Sequence, residues 1–147
     1  MNNVCDHTVE ALIATDSKGC PVYLDISGEP IAQGRHRLRQ IANGWWFYNP
    51  SGQASNGLAT KIGRALQEAG VFPDGLPLFL SPVMVRLTFG VRNISKDLDN
   101  MIKFILGTLQ FATIFGNDRI VCKIVAEKVL ATATGFTNIE VLEVYFI

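Results

Sequence analysis

Three aspartates and a lysine lie close together in the segment "KDLDNMIKFILGTLQFATIFGND". Asp97 and Asp99 are one residue apart, and Lys103 follows Asp99 by four positions. Asp118 ends the segment and opens the next apolar stretch, and a helix start beside a strand start is a place where such side chains can meet. Mg²⁺ prefers oxygen ligands, and two or three carboxylates suffice to hold it against a phosphate. These residue types therefore suit metal-assisted hydrolysis of a phosphate ester, with Lys103 offsetting the charge that builds in the transition state.

The same residues also have a purely structural explanation. Asp97 lies where the N-cap of a helix is expected, and Asp99 in the first turn suits the helix dipole and pairs with Lys103 at i,i+4. Asp118 is then an ordinary residue of a Gly-Asn-Asp turn. The spacing alone is compatible with either explanation.

The periodicity of the chain predicts an α+β fold, with a mixed sheet of four to five strands and two helices packed on it. Strands are expected at residues 22–27, in "GWWFY" and in "VMVRLTFG". Helices are expected at residues 55–69, with Ser55 or Asn56 as N-cap and Gly70 past the end, and from Leu98 onward. The segments "RIVCKIVAEKV" and "TNIEVLEVYFI" are predicted to be two antiparallel strands joined through "ATATGF".

Composition indicates one globular domain with a sizeable core, because 48% of the 147 residues are apolar and 18% are charged. Residues 1–20 have weak periodicity and are predicted to be an irregular arm or short helix outside the core, of unknown role, before a domain at 21–147. No apolar run approaches the ~18 residues of a membrane span, and a secretory leader is not expected. Three cysteines without C-x-x-C spacing indicate neither a disulfide framework nor a zinc site. We therefore expect a cytoplasmic protein without a membrane partner.

Net charge is formally zero, with 13 basic and 13 acidic residues, which argues against a chain that coats nucleic acid through bulk charge alone. The densest local cluster of positive charge contains Arg35, Arg37 and Arg39, and Lys96 adds a charge beside the aspartates. These four residues are the candidates for contact with DNA phosphates. The alternative is a charged strand edge that resists aggregation.

Several motifs, in order, resemble one known family. "KDLDNMIK", then "FGND" and then "KIVAEK" are similar to the signature of RusA-like endodeoxyribonucleases, the Holliday junction resolvases common in bacteriophages and prophages. Upstream, "LDISGEPIAQGRHRL" resembles the family's strand followed by Gly-x-Pro and Gly-Arg-x-Arg. The resemblance covers roughly residues 23–147 and is specific because separate motifs occur in the same order as in the family.

The resemblance implies a fold, an activity and a set of site residues. It implies a RusA-like dimer in which Asp97, Asp99 and Asp118 bind Mg²⁺, with Mn²⁺ as a substitute, and Lys103 is the catalytic lysine. Such enzymes cut four-way DNA junctions in recombination and repair. A homodimer suits this substrate, because two opposed strands must be cut.

The sequence departs from the family pattern beside one proposed ligand. Asn117 precedes Asp118, where the family usually has a pair of acids, so one negative charge is lost. An alternative function is therefore a non-catalytic descendant that binds branched DNA through the same dimer, and a third is cleavage of flaps or other branched substrates. Lys128 aligns with a family lysine and either approaches the site or lies on an exposed strand face.

Overall fold

Five strands form one mixed sheet, and two helices pack on the same face of it. The computed structural model describes residues 6–13, 21–34, 37–48, 52–71 and 75–144. The strands are β1 (Thr8–Ile13), β2 (Val22–Ser27), β3 (Arg37–Ile41), β4 (Gly44–Tyr48), β5 (Val83–Val91), β6 (Val121–Leu130) and β7 (Phe136–Glu143). The helices are α1 (Gly52–Glu68) and α2 (Leu98–Phe111), and a single 3₁₀ turn covers Asp118–Ile120. The predicted α+β class, mixed sheet and two helices are confirmed.

The order of strands in the main sheet is β1-β2-β7-β5-β6, and β3 and β4 form a separate antiparallel ribbon. β5 and β6 are parallel, whereas the other pairs of the main sheet are antiparallel. Parallel neighbours need a crossover connection, and α2 provides it between β5 and β6. The N-terminus of α2 therefore follows the end of β5, and its C-terminus leads to the start of β6.

Alternation along the strands separates a buried face from an exposed one. The alternate side chains Val22, Leu24 and Ile26 of β2 are buried, and the residues between them are exposed. The inner face meets the apolar sides of α1 and α2, which also contact each other. The helices and the sheet share one core, so packing against the sheet fixes the position of α2.

The prediction for the N-terminal residues was wrong where the structure describes them. Residues 8–13 are neither an irregular arm nor a short helix but the edge strand β1, paired with β2. Val9, Ala11 and Ile13 pack against the core at every second position. The other residues of the 1–20 segment lie outside the described part, apart from Asp6 and His7. The division into an arm and a domain stays a prediction.

The last two strands run in opposite directions, as predicted, but they do not pair with each other. β6 and β7 exist and run in opposite directions, but β5 lies between them and pairs with both. The connection at residues 131–135 passes the end of β5, where the Ala131 N–H donates to the Val91 carbonyl at 2.7 Å. β5 is apolar at most positions, and the central location buries it on both edges.

Helix α1 begins earlier than predicted. It starts at Gly52, so Ser55 lies inside the helix, where its Oγ is 2.9 Å from Oγ1 of Thr108 on α2. Gly70 follows the helix with a φ of +94°, as its predicted position past the C-terminus requires. In the part of the chain that the structure describes, neither helix is long and apolar enough to cross a membrane.

Candidate active site

Asp97 is the N-cap of α2, as predicted. Its backbone is extended, its Oδ1 accepts the Asp99 N–H at 3.0 Å, and its Oδ2 accepts the Asn100 side-chain amide at 3.3 Å. The Asp97 carbonyl accepts the first helical bond, from the Met101 N–H at 3.1 Å. The carboxylate is therefore oriented by the backbone of α2 and lies at the positive end of the helix dipole.

Asp99 and Lys103 form an ion pair on the first turns of α2. The Lys103 Nζ is 3.0 Å from the Asp99 Oδ2, and both side chains are more than half exposed. An exposed pair at i,i+4 stabilises a helix by only about 0.3–0.5 kcal/mol. The stability of α2 depends little on this pair, and solvent exposure leaves both groups accessible to a substrate.

Asp118 lies at the opposite end of α2. It opens the 3₁₀ turn, and its N–H donates to the side chain of Gln110, the penultimate residue of the helix, at 3.2 Å. Asp99 and Gln110 are eleven residues apart, which corresponds to about 16 Å along the helix axis. Asn117 caps the 3₁₀ turn, where its Oδ1 accepts the Arg119 N–H at 2.9 Å.

Strand β6 also separates Asp118 from the start of α2. Lys128, near its end, donates to the carbonyls of Ile94 and Lys96, directly before Asp97. Val121, at its start, follows the 3₁₀ turn of Asp118, and seven residues of strand span about 23 Å. Within the described ranges, no three His, Cys, Asp or Glu side chains are grouped to hold a metal ion. One copy of the chain thus brings Asp97 and Asp99 together but not Asp118.

The comparison with protein families bears on this region directly. The model of the family described as "Endodeoxyribonuclease RusA" matches residues 27–141, which is most of the 147-residue chain. The chain belongs to the RusA family. The match includes Asp97, Asp99, Lys103 and Asp118, and it confirms the resemblance that the motifs indicated. Strand β1 lies before the matched residues of this RusA-family chain. A search of curated proteins gives no match.

Members of the RusA family act on branched DNA, and four residues of this chain are predicted to contact it. Lys96 is only partly available, since its Nζ donates to the Pro30 carbonyl and lies 3.8 Å from the Glu29 Oε1. Arg37 and Arg39 lie on β3, opposite Tyr48 and Trp46 of β4 in the strand register. Arg35 lies outside the described residues. The assignment of all four to DNA binding stays a prediction.

Two residues that were not among the predicted site residues contact the segment before α2. The Glu29 Oε1 accepts the Arg92 N–H at 3.1 Å, and the Lys128 Nζ donates to two carbonyls of the same segment. The sequence does not indicate this role of Glu29, because its partner is the backbone N–H of Arg92, which is distant in the chain. For Lys128, alignment with a lysine of the RusA family was the available signal, and the structure places its ammonium group beside the start of α2.

Proposed function

We propose that the protein is a metal-dependent, structure-selective endodeoxyribonuclease that cleaves Holliday junctions as a homodimer, in DNA recombination and repair. Its membership of the RusA family supports endonuclease activity on branched DNA at the level of the family. The observation that carries the finer proposal is the start of α2, where Asp97, Asp99 and Lys103 lie together at an exposed helix N-terminus.

The acids at the start of α2 are chemically suited to Mg²⁺, with Mn²⁺ as the proposed substitute. Asp97 and Asp99 offer carboxylate oxygens on one helical turn, and Mg²⁺ commonly binds through one or two carboxylates plus waters and phosphate oxygens. A bound ion would supply Lewis-acid activation of the phosphodiester and of the attacking water. Asp97 would keep its capping bond to the Asp99 N–H, which fixes one carboxylate oxygen and leaves Oδ2 oriented by Asn100.

The separation of Asp118 supports a site shared between two copies. A two-fold axis across the middle of α2 would place Asp118 of a second copy beside Asp97 and Asp99 of the first, and the reverse at the other end. The helix has 14 residues, so the two composite sites would lie roughly 20 Å apart. Two sites related by a two-fold axis match the two opposed cuts that resolve a four-way junction.

The surface next to α2 has the composition of a self-association face. β6 is an edge strand of the main sheet in the part of the chain described here, and it exposes Ile124 and Leu130 on the side that faces the helices. Phe111, the last residue of α2, is 58% exposed. Exposed apolar groups beside an edge strand favour association, and the start of α2 and the 3₁₀ turn of Asp118 lie near opposite ends of this strand.

Lys103 is the proposed cation for the transition state. Its pair with Asp99 holds the ammonium group over the first turns of α2, within reach of a phosphate bound at the acids. A positive group there would stabilise charge that develops on the phosphoryl oxygens. The ion pair and the catalytic role are compatible, because the side chain is 58% exposed.

Cleavage of a synthetic four-way junction tests the proposal. The wild-type protein and Asp99→Asn would be incubated with the junction, a flap and linear duplex of the same sequence, with Mg²⁺, Mn²⁺ or a chelator. The expected result is paired nicks near the crossover that need metal and are lost in the variant. Tight junction binding without cuts in any metal would support the binding-only descendant instead. Preferential cleavage of the flap would contradict the assigned substrate.

A further inference from the structure

The segment between β5 and α2, residues 92–96, is the connection that carries Asp97. All of its residues except Lys96 are largely exposed. Asn93 organises it from within, since its Oδ1 accepts the Ser95 N–H at 3.0 Å and the Ser95 hydroxyl at 2.8 Å. An exposed connection of this length needs contacts from outside if the helix start is to keep one orientation.

Lys128 holds this segment from the side of β6. Its Nζ donates to the Ile94 carbonyl and the Lys96 carbonyl, both at 2.7 Å. Hydrogen bonds from a charged donor are stronger than neutral ones, and two of the three N–H groups of the ammonium are used here. The Lys96 carbonyl belongs to the peptide that joins Lys96 to Asp97, so the accepting oxygen is two bonds away from the nitrogen of the N-cap residue.

Glu29 holds the segment from the other side. Its Oε1 accepts the Arg92 N–H at 3.1 Å and faces the Lys96 Nζ at 3.8 Å. Glu29 is itself fixed, because its carbonyl is 2.8 Å from the Nε2 of the buried His7. Gly135 approaches so closely that a Cβ on it would lie 2.7 Å from the Glu29 Cα. The carboxylate therefore has a defined location before any DNA binds.

We propose that Lys128 and Glu29 are positioning residues that clamp residues 92–96 and thereby fix the orientation of Asp97 and Asp99. The catalytic consequence rests on the proposed nuclease function, whereas the clamp itself is a property of the folded chain. A misplacement of about 1 Å at a reacting centre can cost on the order of a hundredfold in rate. Neither residue needs to touch the substrate for this effect.

Hydrogen exchange of the amides in the first turn of α2, residues 99–102, tests the clamp without any DNA. Lys128→Met keeps the aliphatic stem and removes both donors, and Lys128→Arg keeps a charged donor. Lys123→Met is the matched control, because Lys123 is an exposed lysine on the same strand but on the opposite face of the sheet. Glu29→Ala removes the second contact, so the test remains available if Lys128→Met folds poorly.

The clamp predicts that these amides exchange about tenfold faster or more in Lys128→Met and Glu29→Ala. Lys128→Arg should restore most of the protection, and Lys123→Met should behave as the wild type. Exchange that is unchanged in both clamp variants would overturn the proposal, whether or not the protein cleaves DNA. Absence of junction cleavage by the wild type would instead refute the nuclease function and leave the exchange result valid.

A direct contact between Lys128 and a DNA phosphate is the competing explanation. It predicts that Lys128→Met reduces the salt dependence of junction binding by about one unit of the log–log slope, measured in chelator. A positioning residue leaves that slope unchanged, lowers kcat on the junction by about a hundredfold and raises the metal concentration needed for half-maximal cleavage. A smaller slope together with normal exchange protection would overturn the positioning role.

Discussion

Asp97 caps α2, and its carboxylate oxygens also lie at the exposed start of the helix. Substitution can separate capping from the proposed metal binding, since asparagine caps a helix nearly as well as aspartate but carries no charge. Both this cap and the pair of Asp99 with Lys103 were predictable from the sequence, because they depend on spacing within one helix. The metal-binding role that we propose for Asp97 and Asp99 rests on the chemistry of carboxylates and not on local structure.

Asp97→Asn and Asp97→Ala make the first prediction. The asparagine variant should keep the free energy of unfolding within about 0.5 kcal/mol of the wild type, and the alanine variant should lose about 1 kcal/mol with the cap. Both should lose metal-dependent cleavage by about a hundredfold or more, since neither has the carboxylate. Urea unfolding and junction cleavage measure the two effects. Full activity in Asp97→Asn would show that only the cap matters.

Lys103→Met is the second prediction. Loss of the exposed pair with Asp99 should cost no more than about 0.5 kcal/mol of stability. Cleavage should fall by about a hundredfold, while junction affinity in chelator changes little. Single-turnover rates of Lys103→Met beside the control Lys123→Met would measure the difference. Equal cleavage rates for the two variants would contradict the proposed catalytic role of Lys103.

At the scale of elements, the sequence predicts local patterns and misses the contacts between them. The alternation in β2 and the stripe of α2 appear directly in the sequence. Strand β1 was missed because Leu12, on its exposed face, interrupts the alternation of Val9, Ala11 and Ile13. The position of β5 between β6 and β7 depends on pairing between distant segments, which local periodicity does not specify.

The packing of Phe136, the first residue of β7, over Gly90 of β5 gives the third prediction. A Cβ on Gly90 would lie 2.2 Å from the ring of Phe136, so Gly90→Ala should cost about 1–3 kcal/mol of stability. Gly63→Ala is the control, because a Cβ there meets no atom within 4 Å and the position is inside α1. That variant should gain about 0.5–1 kcal/mol. Equal midpoints of urea unfolding for the two variants would refute this packing.

At the scale of the whole molecule, topology explains why Asp118 was expected near the other acids and is not. The start of α2 follows the end of β5, but the start of the parallel strand β6 lies a helix length away. The expectation treated a helix start and a strand start as neighbours without knowing that β5 and β6 are parallel. Asp118 contacts Gln110, which lies about 16 Å from Asp99 along the axis of α2, so a site that uses all three acids would need a second copy of the chain.

The self-association face that we propose on β6 gives the fourth prediction. Ile124→Glu should yield a monomer by analytical ultracentrifugation and abolish junction cleavage, because it places a charge on an exposed apolar position of the edge strand β6. Leu12→Glu is the control at the opposite edge of the sheet, where the leucine is also exposed. It should remain a dimer and stay active. A dimer in both variants would show that the interface lies elsewhere on the molecule.

Mixing two inactive variants tests the shared site most directly. Asp99→Asn and Asp118→Asn would each be assayed alone on the four-way junction with Mg²⁺, and then after mixing under conditions that exchange subunits. If Asp118 completes the site of the other copy, a mixed dimer has one intact site and one doubly altered site. The expected result is no cleavage by either variant alone and recovered nicking of one strand by the mixture. No recovery, with subunit exchange verified, would contradict a site shared between two copies.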